Sequence, residues 1–290
     1  MFREFGHSSL TDDLLNGLRV WSLKVKKVNT ELANGSISGM DSSYVNIVEL
    51  AVAEEKYFSK FKSNRGYREI LEHVNRQQGS EYLHILEKYG TASKGLIKFC
   101  KQDVSKPFRY TYPRIGRVSP TNLRYAKITL DLEKLFGSTK DFKIAEIGIG
   151  YGGQCLAIYQ QNTFSSYSLY DLPQVIQLAR KYLKIFHTNH YQIIDGDISV
   201  ENNYDLLISN YAFSEITRDL QEEYMSSIVS KSKRGYVIYN DIGTSDFDTM
   251  PIAEFLNRIP GSIVLHEIPL THPRNKLVVW GHTSTDKLAQ

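Results

Sequence analysis

The residues whose types and spacing could do chemistry gather first in Lys143-Ile144-Ala145-Glu146-Ile147-Gly148-Ile149-Gly150-Tyr151-Gly152-Gly153-Gln154. The apolar run reads as a short buried strand, and the glycines as a sharp turn into a helix at the carboxyl edge of a parallel sheet. Without β-carbons the turn lets a ligand reach the main chain, where the helix presents unpaired N–H groups. Gly148, Gly150 and Gly153 satisfy G-x-G-x-x-G, so a dinucleotide is the first ligand to weigh. Glu146 speaks against it. A pyrophosphate would meet that carboxylate, and two like charges ~5 Å apart at an effective dielectric of about 20 repel by roughly 3 kcal/mol. A cationic cofactor gains from the same acid.

Ser168 to Asp171 reads as a second strand ending in an acid. Asp171 can accept hydrogen bonds from both ribose hydroxyls, which suits NAD as well as an adenosyl group. Leu172-Pro173 then opens a helix through Val175, Ile176, Leu178, Ala179 and Leu183. Tyr191 to Ile198 reads as a third strand and an acid-bearing loop, where Asp197 would meet an adenine amino group or simply be a solvated turn residue.

The runs Glu146 to Gly153, Tyr170-Asp171-Leu172-Pro173 and Gly196-Asp197 resemble the first motifs of class I S-adenosylmethionine-dependent methyltransferases. Within that class the chain resembles bacterial sugar O-methyltransferases, through Ser119-Pro120-Thr121-Asn122-Leu123-Arg124-Tyr125, Glu146 to Gln154, and Ser214-Glu215. The resemblance covers residue 105 or so to the C-terminus; the N-terminal third matches no motif. It implies a Rossmann-like α/β fold and S-adenosyl-L-methionine as cofactor. Glu146, Gly148, Gly150, Tyr151, Gly152, Asp171, Leu172, Asp197, Ile198 and Ser209 would line the cofactor site. The implied reaction is methyl transfer to a sugar hydroxyl in bacterial polysaccharide or glycosylated-metabolite synthesis, on a small-molecule or glycan-linked acceptor.

Methyl transfer from a sulfonium is an in-line displacement, so alignment dominates, and a hydroxyl acceptor must also lose a proton. Glu215 is the first candidate base because it follows the fourth strand beside Asn210, Tyr211 and Ser214. Its plain alternative is a glutamate stabilised at a helix N-terminus. Asp241 and His272 are the other candidates. His187 and His190 lack a third metal ligand, and Asn240 to Asp248 does not reproduce a calcium loop, so no metal is expected. Ser209-Asn210-Tyr211-Ala212-Phe213 lacks the paired prolines of amino-directed nucleic-acid methyltransferases, which argues against a nucleic-acid substrate.

Positioning these groups requires a sheet. Tyr204 to Asn210 and Arg234 to Asp241 read as the fourth and fifth strands, with a helix over Phe213 to Val229 between them. Ser262 to Ile268 and Lys276 to Trp280 are joined so briefly that they must pair antiparallel. A parallel sheet finished by an antiparallel hairpin matches the methyltransferase fold. Residues 1–105 read instead as a helical region, which the resemblance implies caps the acceptor pocket or makes a homo-oligomer contact, with a purely structural role the alternative, and 106–290 as the methyltransferase domain. Within the former, Leu10 to Val28, Tyr44 to Phe61, Tyr67 to Val74 and Glu81 to Cys100, the last broken near Gly90, are predicted helices, Thr11 a candidate N-cap, and Asn34 to Gly39 a turn. The second helix is apolar nearly all round and so expected to be buried. Lys106 to Arg117 reads as an interdomain linker whose Arg109, Arg114 and Arg117 could pair with a carboxylate or phosphate.

A chain of 290 residues with a formal charge of +3 gives no electrostatic argument for nucleic acid. Only Cys100 and Cys155 are present, which excludes a disulfide framework or a cysteine zinc site. No apolar run approaches the ~20 residues that span a bilayer, and Met1 to Leu10 lacks a signal-peptide core, so a cytoplasmic enzyme is expected. Two competing readings are an NAD(P)-dependent Rossmann oxidoreductase on the same glycine turn and a non-catalytic binding subunit of methyltransferase fold.

Overall fold

The computed structural model describes residues 42–186, 192–199, 202–241, 248–283 and 288. The predicted helix at Leu10 to Val28, its Thr11 cap, the Asn34 to Gly39 turn and the His187/His190 pair lie outside these residues, as does most of the acid run after Asp241.

Seven strands form the central sheet: β3 (Lys143–Ile147), β4 (Ser166–Tyr170), β5 (Gln192–Asp195), β6 (Leu206–Asn210), β7 (Gly235–Asn240), β8 (Ile263–His266) and β9 (Asn275–Trp280). Their order is β5-β4-β3-β6-β7-β9-β8. The five strands from β5 to β7 are parallel to one another, and β9 runs antiparallel to both β7 and β8. Ile144, Ala145 and Ile147 are all at most 2% exposed, the two-sided burial that makes a parallel strand read as continuously apolar. The predicted terminal hairpin is present, and β9 slots in beside β7 while β8 takes the edge. The sheet is Rossmann-like, mostly parallel and finished by an antiparallel hairpin.

The N-terminal layer comprises α1 (Ser42–Ala53), α2 (Glu55–Phe58), α3 (Arg65–Ile70), α4 (Arg76–Tyr89) and α5 (Lys94–Lys101). The predicted helix over Tyr44 to Phe61 is broken at Glu54, and α1 is not buried all round. Tyr44, Val48 and Ala51 form the inward i, i+4, i+7 stripe, while Leu50 is 41% exposed. Asn75 starts α4 with a reciprocal capping box: its side chain accepts from Gln78 N at 2.9 Å, and Gln78 Oε1 accepts from Asn75 N at 3.0 Å.

The expected linker is a hairpin instead, β1 (Tyr110–Tyr112) against β2 (Gly116–Val118), anchored by buried Tyr112 and Val118. It leads into α6 (Pro120–Phe136), whose proline stands at its favoured first turn. Leu123, Ala126, Ile128 and Leu130 of α6 are at most 2% exposed, each large one of them giving about 1.5–3 kcal/mol of burial. Asp131 ties the layers together by accepting from Tyr89 of α4 and Tyr236 of β7, both at 2.8 Å. One apolar core therefore runs unbroken from Tyr44 to Val279.

On this face α7 (Gly153–Gln161) and α8 (Pro173–Lys184) complete the crossovers; α9 (Arg218–Ser227) and α10 (Ile252–Asn257) cover the other. The single helix predicted over Phe213 to Val229 is divided into a 3-10 turn, Ala212–Glu215, and α9. Phe213 N donates to Ser209 Oγ and Asn240 N to Ser214 Oγ, bonds that tie the first turn to the strand ends and hold it out of line with α9.

Candidate functional site

The strand β3 ends in a turn whose Gly148, Gly150 and Gly152 take φ of +79°, +53° and +85°, a region costly for residues with a β-carbon. A β-carbon on Gly148 would also sit 2.1 Å from that of Ala212. Asp171, at the end of the neighbouring strand β4, closes on this turn. Its Oδ2 accepts from Gly150 N at 3.0 Å and its Oδ1 from Leu172 N at 2.8 Å. Burial lifts its pKa to about 6, against the pull of those two N–H groups. Two predicted site residues far apart in sequence thus meet where the parallel strands end.

Glu146 is neither surface-facing nor a standing negative charge. It is 1% exposed, accepts from Tyr167 Oη at 2.6 Å, and burial pushes its carboxyl up to about 8. At neutral pH it is largely protonated until a cation favours the ionised form.

Several predicted residues serve the fold. Ser209 is fully buried and uses its hydroxyl to donate to Ile147 O at 3.1 Å and to accept from Phe213 N at 3.0 Å. Tyr151 belongs to an aromatic layer, with ring centroids 5.0 Å from Tyr182, 5.9 Å from Tyr125 and 6.0 Å from Phe61. Leu172 is buried as the N-cap of α8, and Ile198 packs on the second core. Asp197 is an exposed turn residue whose Oδ1 accepts from Ser199 N and Oγ at 2.9 and 2.6 Å.

At the ends of β6 and β7, Glu215 Oε1 accepts from Asn240 Nδ2 at 3.2 Å, and burial raises its pKa. That is a carboxylate both oriented and made more basic. Asn240 Oδ1 and both side-chain polar atoms of Asn210 are buried beside it without partners. Asp241 is half-buried, with its N–H donating to Arg274 O at 3.3 Å. His272 Nδ1 accepts from Arg274 N at 3.2 Å. In the neutral ring the proton is then on Nε2, leaving no lone pair free for base work.

Sequence reasoning missed Tyr211 and Glu267 and gave Arg124 no role. Tyr211 holds a φ of +74°, unusual for a residue with a β-carbon, and its hydroxyl donates to Glu267 Oε1. Glu267 Oε2 accepts from Thr271 N, Thr271 Oγ1 and Asn275 Nδ2 at 3.0, 2.6 and 3.0 Å. The Arg124 guanidinium lies 5.9 Å from the Tyr211 ring and 5.2 Å from that of Tyr125. Arg124 was visible within its motif, whereas Tyr211 was lost among 19 tyrosines and Glu267 carried no local signal. The hairpin arginines stay outside: Arg109 pairs with Asp103 at 3.1 Å and Arg114 with Glu87 at 3.4 Å, while Arg117 is exposed. Among the described residues no cluster of His, Cys, Asp and Glu could hold a metal ion, and no helix is long and apolar enough to cross a membrane.

No family model matches the chain, and no curated protein matches it. Among solved structures it is similar to the mitomycin 7-O-methyltransferase MmcR (TM-score 0.41, 16% identity, covering 56% of this chain and 55% of that one). The pyocyanin biosynthetic protein PhzM matches with a TM-score of 0.42 and 14% identity, covering 56% of this chain and 55% of that one. Magnesium protoporphyrin IX methyltransferase (ChlM) from Synechocystis PCC 6803, with bound SAM, matches with a TM-score of 0.40 and 11% identity, covering 54% and 81%. The chain spans about half the length of the first two, 55% in each case.

Proposed function

We propose that this chain is an S-adenosylmethionine-dependent O-methyltransferase acting on a sugar hydroxyl. The observation that carries the cofactor reading is the contact between Gly150 and Asp171. It brings a glycine turn and a ribose-binding type of acid together at the carboxyl edge of a sheet with an antiparallel inserted strand. The residues fit the cofactor: the turn lacks β-carbons, Asp171 would accept from the ribose hydroxyls, and Glu146 would ionise opposite a positive charge. When bound, the cofactor supplies an electrophilic methyl group. Glu215, oriented by Asn240, takes the proton from the acceptor hydroxyl. The sugar acceptor rests on the resemblance of Ser119 to Tyr125 and of Ser214-Glu215 to bacterial sugar O-methyltransferases.

Calorimetric titration with S-adenosylhomocysteine and with NAD⁺ tests the cofactor class. Micromolar binding of S-adenosylhomocysteine alone, lost in Gly148→Val, is the expected outcome. Binding of NAD⁺ alone would replace this reading with an oxidoreductase, and binding of neither would favour a non-catalytic subunit. Turnover with a panel of free and nucleotide-linked sugars tests the acceptor.

A further inference from the structure

Three asparagines stand in a row across the edge where β6 and β7 end and β9 begins. In these strands Ile208, Ile238 and Leu277 face the larger core, and Leu207, Tyr239 and Val278 the other. Side chains alternate along a strand, and Asn210, Asn240 and Asn275 each lie two residues from the first set. All three therefore share the face of the larger core. Asn240 is directly opposite Asn275 in the ladder, and Asn210 is beside Ile238, one side-chain step short of Asn240.

Much of this row's hydrogen-bonding capacity is buried and unused: Oδ1 and Nδ2 of Asn210, Oδ1 of Asn240 and Oδ1 of Asn275 have no partner. The remaining two nitrogens are committed. Asn240 Nδ2 donates to Glu215 Oε1 at 3.2 Å, and Asn275 Nδ2 to Glu267 Oε2 at 3.0 Å and Thr271 Oγ1 at 2.8 Å. Glu267 cannot serve the row further, because Tyr211 donates to one of its oxygens and Thr271 and Asn275 to the other. Buried amide atoms without hydrogen bonds are destabilising, and a fold rarely keeps several together. Here they adjoin Glu215, the candidate base.

The idle atoms are three acceptors and one donor. A carboxylate or phosphate only accepts, and would face three amide oxygens; an ammonium only donates, and would leave the Asn210 nitrogen idle. A hydroxyl does both, so a pair of neighbouring hydroxyls answers the whole row. Asn240 sets their spacing. Its nitrogen orients Glu215, while its oxygen, on the same planar group, takes a second hydroxyl a few ångströms away, the separation of hydroxyls on adjacent carbons. We propose that Asn210, Asn240 and Asn275 read a vicinal diol: one hydroxyl is methylated at Glu215, and a free hydroxyl on the next carbon is bound by the amides. The inference rests on the O-methyltransferase reading above and adds a specificity rule to it. The four atoms are shut off from solvent in this conformation, so the acceptor reaches them by displacing the side chains above the row.

The full-length chain is screened with S-adenosylmethionine against free hexoses, 6-deoxyhexoses and their nucleotide-linked forms. On an accepted sugar, kcat/KM is compared with that on analogues each lacking one hydroxyl next to the methylated position. Wild type should lose about 100-fold or more with one analogue, and the near-isosteric Asn210→Leu should abolish most of that discrimination by losing activity on the parent sugar. Its urea midpoint and S-adenosylhomocysteine affinity should match wild type, because the Asn210 amide has no partner in the fold to lose. Equal kcat/KM on the parent and every analogue in wild type would overturn the diol rule whether or not the variant folds. A destabilised Asn210→Leu with parallel loss of S-adenosylhomocysteine affinity would also overturn it, because that is the signature of a structural role. Either result leaves sugar methylation standing, whereas turnover on no sugar would remove the acceptor reading and the diol rule together.

Discussion

Asp171 holds the glycine turn from the next strand over, its carboxylate accepting the Gly150 N–H at 3.0 Å and that of Leu172 at 2.8 Å. One side chain therefore ties the turn after β3 to the first backbone N–H beyond its own strand, just before α8. Asp171→Ala should reduce stability by about 1–3 kcal/mol in urea unfolding and weaken S-adenosylhomocysteine by about 10-fold or more. Unchanged affinity in calorimetry would remove Asp171 from the site.

Glu146 and Asp171 couple stability to pH. Both acids titrate higher in the folded chain, at about 8 and about 6, than their ordinary 4.5 and 3.8, with burial the main cause. Raised acids favour folding in their protonated forms. Their contribution is thus complete below pH 4 or so and is lost as pH rises through 6 and then 8. Chemical denaturation across that range should show declining stability, and Glu146→Gln should flatten the upper part. An identical slope in the variant would contradict the assignment.

The Gly148 turn tolerates no β-carbon. Gly148→Ala places one 2.1 Å from Ala212, whereas Gly116, at φ +88°, has nothing within 4 Å of the same position. Both substitutions carry the backbone penalty, but only the first adds a clash. Gly148→Ala should cost about 1–3 kcal/mol more than Gly116→Ala in thermal or urea unfolding.

Glu215 should behave as a base and His272 should not. Glu215→Gln is expected to lower kcat by about 10²–10⁴-fold with unchanged S-adenosylhomocysteine affinity. The acid limb of kcat in wild type should lie above the ordinary carboxylate range, because burial raises the Glu215 pKa. His272→Gln should leave kcat near wild type, its Nδ1 being committed to Arg274 N.

Tyr211 and Glu267 form the remaining testable contact. Tyr211→Phe removes the donor to a carboxylate that is 5% exposed, while Thr271 and Asn275 keep donating to its other oxygen. A loss of about 1–3 kcal/mol in stability is expected from urea unfolding. No change would show that solvent replaces the phenol.

By itself the sequence determined what depends on neighbours in the chain. Alternating and continuous apolar runs located the strands, Gly148 to Gly153 specified a turn only glycine can make, and the brief connection before Lys276 forced an antiparallel pair. The places of Asp171 and Glu215 just beyond strand ends were legible, because parallel strands end at the same edge of the sheet. Tertiary structure decided what depends on packing between distant segments. The charge state of Glu146 follows from burial by α6 and α7, the fate of Ser209 from the 3-10 turn that claims its hydroxyl, and the one-sided burial of α1 from its seat on α8. Local patterns also could not bring Tyr89 and Tyr236 to Asp131, or Tyr211 and Glu267 to one hydrogen bond. Those meetings depend on how the helical layer and the terminal hairpin close over the sheet, and long-range apolar packing, not the chain's local preferences, sets that closure.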